Sequence, residues 1–310
     1  MIREADLTKY GKAIWFDGKM VDPKEATVSV MSHAVHYGTG FFEGIRAYET
    51  DQGAAIFRLD EHVARLYRTI KMYYVDIPYD FDTIRQAIID TVKINEFKSC
   101  YIRPSIFLGT GWNALVPSDD ILVHTAISCW PLGSPSDHPT PIKAKVASYR
   151  RLSSSQCPMQ AKAASNYMNS LLLKFEAKQN GFDEAIALDI QGQVSEASAS
   201  NIFFVWGNEI HTPSLASSVL NGITRLSVME FARDLGYTVI ERTIARDDLY
   251  TADEIFLTGT AAEVQSIGSV DNIPVGNGNY PVGTALIQKF KEVSSGKSEK
   301  YNHWLTYVNQ

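Results

Sequence analysis

The chain has 310 residues, 45% of them hydrophobic, which is ample for a large core and suits two domains. Its formal net charge is -6, its pI is about 5.7, and no basic tract of five or more Lys/Arg occurs. A nucleic-acid surface, which needs clustered cations against phosphate, is therefore disfavoured. No apolar run approaches the ~20 residues of a membrane helix. The N-terminal Met1-Ile2-Arg3-Glu4-Ala5-Asp6 is charged where a secretory signal is apolar. The three cysteines, Cys100, Cys129 and Cys157, lack C-x-x-C spacing and suit a reducing interior, so the expected location is the cytoplasm.

In chain order, Ala13-Ile14-Trp15-Phe16 and Lys19-Met20-Val21 flank Asp17-Gly18, a pair suited to a type I′ turn, so the opening reads as a hairpin. Residues 28–31 read as a further strand, and 42–48 continue in strand character after a Gly38-Thr39-Gly40 loop. Asp60 reads as an N-cap. Val63, Leu66, Tyr67 and Ile70 follow at helical spacing, predicting an amphipathic helix over 61–74. A second helix covers 81–96, with Ile84, Ala87, Ile88 and Val92 on one face, and 101–108 and 121–129 read as strands.

Residues 131–141 carry four prolines and few apolar anchors, and read as a linker. A small mixed N-terminal domain (1–130) would precede it and a larger domain (142–310) would follow. In the second, strand character runs over 143–149. A helix follows over 165–179, its apolar face Met168, Leu171, Leu172 and Phe175, with Gly181 as the stop. Strands at 184–189 and 201–206 flank a turn at Gln191-Gly192. A helix at 223–235 turns Val228, Phe231, Ala232 and Leu235 inward, and strands follow at 237–242 and 254–257.

Four short segments carry chemistry as a set. Lys162 lies in Ala161-Lys162-Ala163-Ala164-Ser165, where small neighbours leave its amine accessible to a ring. Glu196 stands between Gly192-Gln193-Val194-Ser195 and Ala197-Ser198-Ala199-Ser200, room enough for a planar group. Asn221-Gly222-Ile223-Thr224 opens a helix, whose first N–H groups favour a phosphate, and Thr258-Gly259-Thr260-Ala261-Ala262 supplies a second run of backbone donors. An amine for an aldehyde, an acid for a pyridine nitrogen and amides for a phosphate are what pyridoxal phosphate needs. Taken singly, each has a plainer reading: a surface lysine, a strand-end glutamate, two capped helices. Arg65 read alone is a surface arginine at the border of its helix stripe, and Tyr37, Phe42, Tyr101 and Trp130 read as core aromatics. His33 and His36 lie in a stretch without helical character and without a nearby acid, so no metal site is expected.

In order along the chain, several motifs resemble the branched-chain amino acid aminotransferases of the fold-type IV (class IV) pyridoxal phosphate enzymes. They are Ile14-Trp15-Phe16-Asp17-Gly18, His33-Ala34-Val35-His36-Tyr37-Gly38-Thr39, Phe42-Glu43-Gly44-Ile45-Arg46, Tyr101-Ile102-Arg103-Pro104, Ala161-Lys162-Ala163, Asn166-Tyr167, Gly222-Ile223-Thr224-Arg225 and Gly259-Thr260-Ala261-Ala262-Glu263. The resemblance implies an α/β (α+β) two-domain fold: a small mixed N-terminal domain, then a larger domain of barrel-like strands with helices. It implies that Lys162 holds the cofactor and shuttles a proton, that Glu196 pairs with the pyridine nitrogen, and that Tyr167 bonds the ring oxygen. Arg65, Ile223, Thr224 and Thr260 would hold the phosphate, and Leu220 would pack on the ring. Tyr101, Thr260 and Ala261 would take the substrate carboxylate. Tyr37, Phe42 and Trp130 would line the side-chain pocket, with Arg46 and Arg103 near for an acidic group. The expected reaction moves the amino group of L-leucine, L-isoleucine or L-valine to 2-oxoglutarate, in a homodimer or higher homo-oligomer. The alternatives on this fold are a D-amino acid or (R)-amine transaminase, or a 4-amino-4-deoxychorismate lyase. The chain departs from the family at Gly109-Thr110-Gly111-Trp112-Asn113-Ala114-Leu115, at Trp130-Pro131-Leu132-Gly133 and at Asn221; the first two bear on substrate range.

Overall fold

The computed structural model of the chain describes residues 7–111, 114–137 and 139–309, so Trp112 and Asn113 of the departing loop lie outside the described residues. The chain divides into two compact units. The first comprises Met1–Gly133, Ala161–Ser165 and Ser294–Gln310, and the second Ser134–Gln160 and Asn166–Val293. This differs from an unbroken second domain over 142–310. The C-terminal strand Leu305–Tyr307 pairs with a strand of the first unit, and Ala163 bridges to Phe41. The chain crosses from one unit to the other inside the proline-rich stretch.

The first unit contains β1 (Ile14–Phe16), β2 (Lys19–Val21), α1 (His33–Tyr37), β3 (Gly40–Phe42), β4 (Ile45–Thr50), β5 (Gly53–Phe57), α2 (Leu59–Lys71), α3 (Phe81–Asn95), β6 (Cys100–Leu108) and β7 (Val123–Trp130). Its sheet runs C-terminal strand–β5–β4–β6–β7–β1–β2. Asp17 and Gly18 both take positive φ, 45° and 92°, as a type I′ hairpin turn requires. One strand was expected over 42–48, and two are observed. Both β3 and β4 pair with β6 in one continuous register, from Gly40↔Phe107 to Ile45↔Ile102. At the interruption Glu43 N donates to Pro104 O, but Pro104 has no N–H to return.

Residues 28–31 form no strand, and Val30 and Met31 are exposed. The stretch at His33, read as non-helical, forms the short helix α1. Helix α2 starts at Leu59 after Arg58, which takes left-handed φ, so Asp60 sits in the first turn and is not the cap. Helix α3 is capped by Asp80, whose side chain accepts from Thr83 N at 2.8 Å. Ile84, Ile88, Leu66, Ile45 and Ile102 meet in one apolar core.

The second unit contains β8 (Ile142–Val146), α4 (Asn166–Gln179), β9 (Glu184–Leu188), β10 (Val194–Ala197), β11 (Asn201–Trp206), β12 (Glu209–Pro213), α5 (Ile223–Asp234), β13 (Thr238–Arg242), β14 (Glu254–Gly259), β15 (Glu263–Val270), β16 (Ile273–Pro274) and α6 (Pro281–Ser294). Its sheet order is β10–β9–β8–β15–β14–β11–β12–β13, mixed in direction, with β16 on β15. Strand β9 is buried along its whole length, which fits its unbroken run Ala-Ile-Ala-Leu.

Helix α4 is where the sequence expected it, but with its faces exchanged. Met168 is 62% and Phe175 54% exposed, and Leu171 and Leu172 are exposed as well. The buried face is Asn166, Ser170, Leu173 and Ala177, at the same helical period one step round. Small residues let this face pack close to the sheet, and Ser170 has a polar partner there. The apolar stripe is left on the surface of the unit.

Candidate active site

Lys162 is held through its backbone. Its N–H donates to Thr69 Oγ1 on α2 at 3.1 Å, and its carbonyl accepts from Phe42 N at 3.1 Å. Ala164 N reaches Gly40 O at 2.8 Å, so the segment carrying Lys162 lies along β3 as a short extra strand. The side chain is half-buried, and its Nζ lies 5.0 Å from the centre of the Phe42 ring.

On the same ring lies a second cation. Arg103 sits 4.5 Å from Phe42, 5.3 Å from Tyr101 and 5.9 Å from Trp130, and donates to Tyr101 Oη at 3.0 Å. The strand register explains this. Phe42 opposes Ser105 and Tyr101 opposes Trp130, so Phe42, Arg103, Tyr101 and Trp130 share one sheet face. Arg103 Nε is buried and lacks a hydrogen-bond partner among the described residues. Gly44 makes room here, since a Cβ at that position would collide with Tyr101 Oη.

Arg46 differs from the expectation. It is fully buried, donates to Leu132 O (2.8 Å) and Gly133 O (3.2 Å), and lies over Tyr48. It anchors the chain as it leaves the first unit. Tyr37 is on α1, exposed, with its ring 4.6 Å from His33.

Arg65 is a buried residue and not the surface arginine of the plain reading. Its Nε and Nη2 donate to Glu43 Oε1 and Oε2 at 2.7 and 2.8 Å, a bidentate pair. His62 Nδ1 meets the same Oε2 at 2.8 Å. Burial alone would raise the Glu43 carboxyl. The Arg65 guanidinium and His62 outweigh it and hold Glu43 well below the usual carboxylate range. Burial lowers His62, which outweighs the pull of Glu43 with help from the Arg65 and Lys162 charges. His62 is thus a neutral imidazole donating from Nδ1 to an ionised Glu43. Neither was singled out from sequence; a glutamate within an apolar strand run was the available signal, because a buried charge requires a partner.

In the second unit Glu196 is 3% exposed on β10. Its Oε1 pairs with Arg151 Nη2 at 2.6 Å, and its Oε2 accepts from Asn201 Nδ2 (3.0 Å) and Leu220 N (3.2 Å). Asn201 also donates to Leu220 O at 2.9 Å, and its Oδ1 occupies the space where a Cβ on Gly222 would stand. Glu196 is therefore tied through Asn201 to the loop that opens α5. Gly222 is the N-cap of that helix and gives it no side-chain cap; Ile223 and Thr224, both buried, form its first turn. Asn201 opposes Thr258 across β11 and β14, and Gly259 packs on Ser200, which brings the turn carrying Thr260 and Ala261 to the same end of the sheet. Thr260 is half-buried and Ala261 exposed. Glu263, at φ 52°, fixes the far side of that turn by accepting from Ser134 Oγ (2.5 Å) and Ser136 N (3.3 Å). Tyr167 is half-buried in the first turn of α4. Arg151 spans from Glu196 to that helix through Nη1 and Ser170 Oγ at 3.0 Å. Sequence reading missed Arg151 and Asn201, which stand in no motif of their own.

The donor set suits pyridoxal phosphate: a lysine with small neighbours, a buried carboxylate already charge-paired, and a helix start kept free of Cβ and side-chain cap. Chains of known kind match it. The sequence profile of the family described as "Amino-transferase class IV" matches residues 40–270. A branched-chain-amino-acid aminotransferase of Escherichia coli (strain K12) is 40% identical over 307 residues, 98% of this chain and 99% of the relative. Two solved structures of a thermophile branched-chain amino acid aminotransferase (source abbreviated T.th.) are also similar, one complexed with 4-methylvaleric acid and one with N-(5′-phosphopyridoxyl)-L-glutamate. Each superposes with TM-score 0.92 at 41% identity, over 96% of this chain and 99% of theirs.

Proposed function

The chain belongs to the class IV amino-transferases, and on that premise we propose that it transfers the amino group of L-leucine, L-isoleucine and L-valine to 2-oxoglutarate, with pyridoxal phosphate as cofactor. The near full-length likeness to branched-chain enzymes supports the donor class. The ligands of the two T.th. structures, a leucine-shaped acid and a phosphopyridoxyl-glutamate adduct, support the pairing of an apolar with an acidic substrate.

When bound, the cofactor supplies an electron sink that makes the amino acid Cα proton removable. The chain's residues do the rest. Lys162 Nζ binds the cofactor aldehyde, is released by the incoming amine, and then carries the Cα proton. Glu196, ionised and buried, holds a proton on the ring nitrogen. Tyr167 bonds the ring oxygen and Leu220 packs on the ring. Arg65, Thr224, Thr260 and the N–H groups of Ile223 and Thr224 hold the phosphate. Tyr101, Thr260 and Ala261 take the substrate carboxylate.

What most favours a dual-substrate reading is Arg103 lying on the Phe42, Tyr101 and Trp130 rings, with its Nε unpartnered among the described residues. Apolar faces suit a branched side chain, and the guanidinium suits the second carboxylate of glutamate. Tyr37 belongs to the same proposed pocket.

A homodimer is part of the proposal; the exposed stripe Met168, Leu171, Leu172 and Phe175 supports a partner surface. So is a cytoplasmic location, which the three free thiols suit. No helix among the described residues is long and apolar enough to cross a membrane.

Initial rates with each amine donor and 2-oxoglutarate test the reading. The three branched L-amino acids should differ modestly, since one methylene is worth about 1–3 kcal/mol. D-alanine or an (R)-amine reacting faster than all three would replace it with a D-amino acid or (R)-amine transaminase.

A further inference from the structure

We propose that Arg151 is a positioning residue that keeps Glu196 ionised, and through it keeps the proton on the nitrogen of the bound pyridine ring; this rests on the reading of Glu196 given above. The geometry is specific. Arg151 Nη2 lies 2.6 Å from Glu196 Oε1, and both residues are almost wholly buried. The other carboxylate oxygen takes two neutral donors, Asn201 Nδ2 and Leu220 N. A buried carboxylate held by neutral donors without this cation would favour its protonated form. Two arrangements then compete: a charged ring nitrogen facing a carboxylate, or a neutral ring nitrogen facing a carboxylic acid. Arg151 touches the carboxylate itself and is farther from anything on its other side. In a site of low polarity its charge therefore favours the first arrangement. The second hand of the guanidinium, Nη1 on Ser170 Oγ at 3.0 Å, fixes Arg151 to α4, so its reach to Glu196 does not depend on solvent.

The test uses the full chain loaded with pyridoxal phosphate labelled with nitrogen-15 in the ring, whose chemical shift separates a protonated from a neutral nitrogen. The wild type should give the protonated shift. Arg151→Lys should stay near it, because an ammonium retains the charge, and Arg151→Met and Arg151→Gln should move toward the neutral shift. Their kcat should fall roughly 10- to 100-fold, as for partners that act through a liganding residue, with KM for L-leucine little changed. In a Glu196→Gln background, Arg151→Met should add almost no further loss, because it acts through that carboxylate. If Arg151→Met does not fold, the Lys and Gln variants decide; equal shifts for the two overturn the proposal. A loaded Arg151→Met with the wild-type shift also overturns it, while leaving the aminotransferase reading intact. A wild type that takes up no cofactor removes both.

Discussion

Glu43→Gln should cost the protein much of its stability, although it replaces one oxygen by an amide nitrogen. Glu43 is wholly buried and accepts two hydrogen bonds from Arg65 and one from His62. The amide keeps the volume but not the charge, so Arg65 is left as a buried cation without its counter-ion. Breaking a buried pair from one side costs about 3–5 kcal/mol, against a total of roughly 5–15 kcal/mol for a folded protein. Urea unfolding of the cofactor-free chain, followed by tryptophan fluorescence, measures it. The pH dependence supplies a second reading of the same cluster. Glu43 is held below its ordinary 4.5 and His62 below its ordinary 6.5. At both groups the unfolded chain takes up protons at higher pH than the folded one. Their contribution is thus complete above the ordinary His value, and declines as pH falls below 6.5 and then below 4.5. In Glu43→Gln the lower of these two declines should shrink. A loss under about 1 kcal/mol, the range of an exposed pair, would refute the idea that this cluster is desolvated.

Lys162→Ala should abolish transamination and leave the fold intact, because the segment is fixed by its backbone bonds to β3 and Thr69. Borohydride reduction of the wild type followed by peptide mapping should find the cofactor on Lys162, and finding it on another lysine removes this residue from the role. Gly222→Ala should drive its new Cβ into Asn201 Oδ1 and pull Asn201 from Glu196 and Leu220. Overpacking of this kind costs about 1–3 kcal/mol, and here titration of pyridoxal phosphate into the cofactor-free variant should also show weakened binding; unchanged affinity would mean that Asn201 does not link the carboxylate to the α5 loop.

The residues legible in the sequence are those whose chemistry depends on near neighbours. Asp17-Gly18 reads as a tight turn because the two φ values it needs are local. Lys162 and Gly222 stand out because small neighbours are visible along the chain. The helices α2, α3 and α5 follow from periodicity, and their buried faces follow as well. Helix α4 marks where this fails. Its apolar period is sound, but periodicity reports only that one side is apolar, not which side the fold covers. Here the buried side carries Ser170 and Asn166, polar groups that a packed sheet and Arg151 can satisfy. Arg65 fails for a related reason: the helix wheel puts it at the border, and its burial depends on Glu43, 22 positions away on another element. Arg151 and Asn201 were invisible for the same cause, since each owes its place to partners across the sheet and not to its own segment. The groups expected to touch the cofactor are thus readable one by one. The charges that set their protonation, Arg151 on Glu196 and Glu43 on Arg65, arise only when strands and helices meet. They are therefore the positions at which a substitution with no effect on any motif should change the chemistry most.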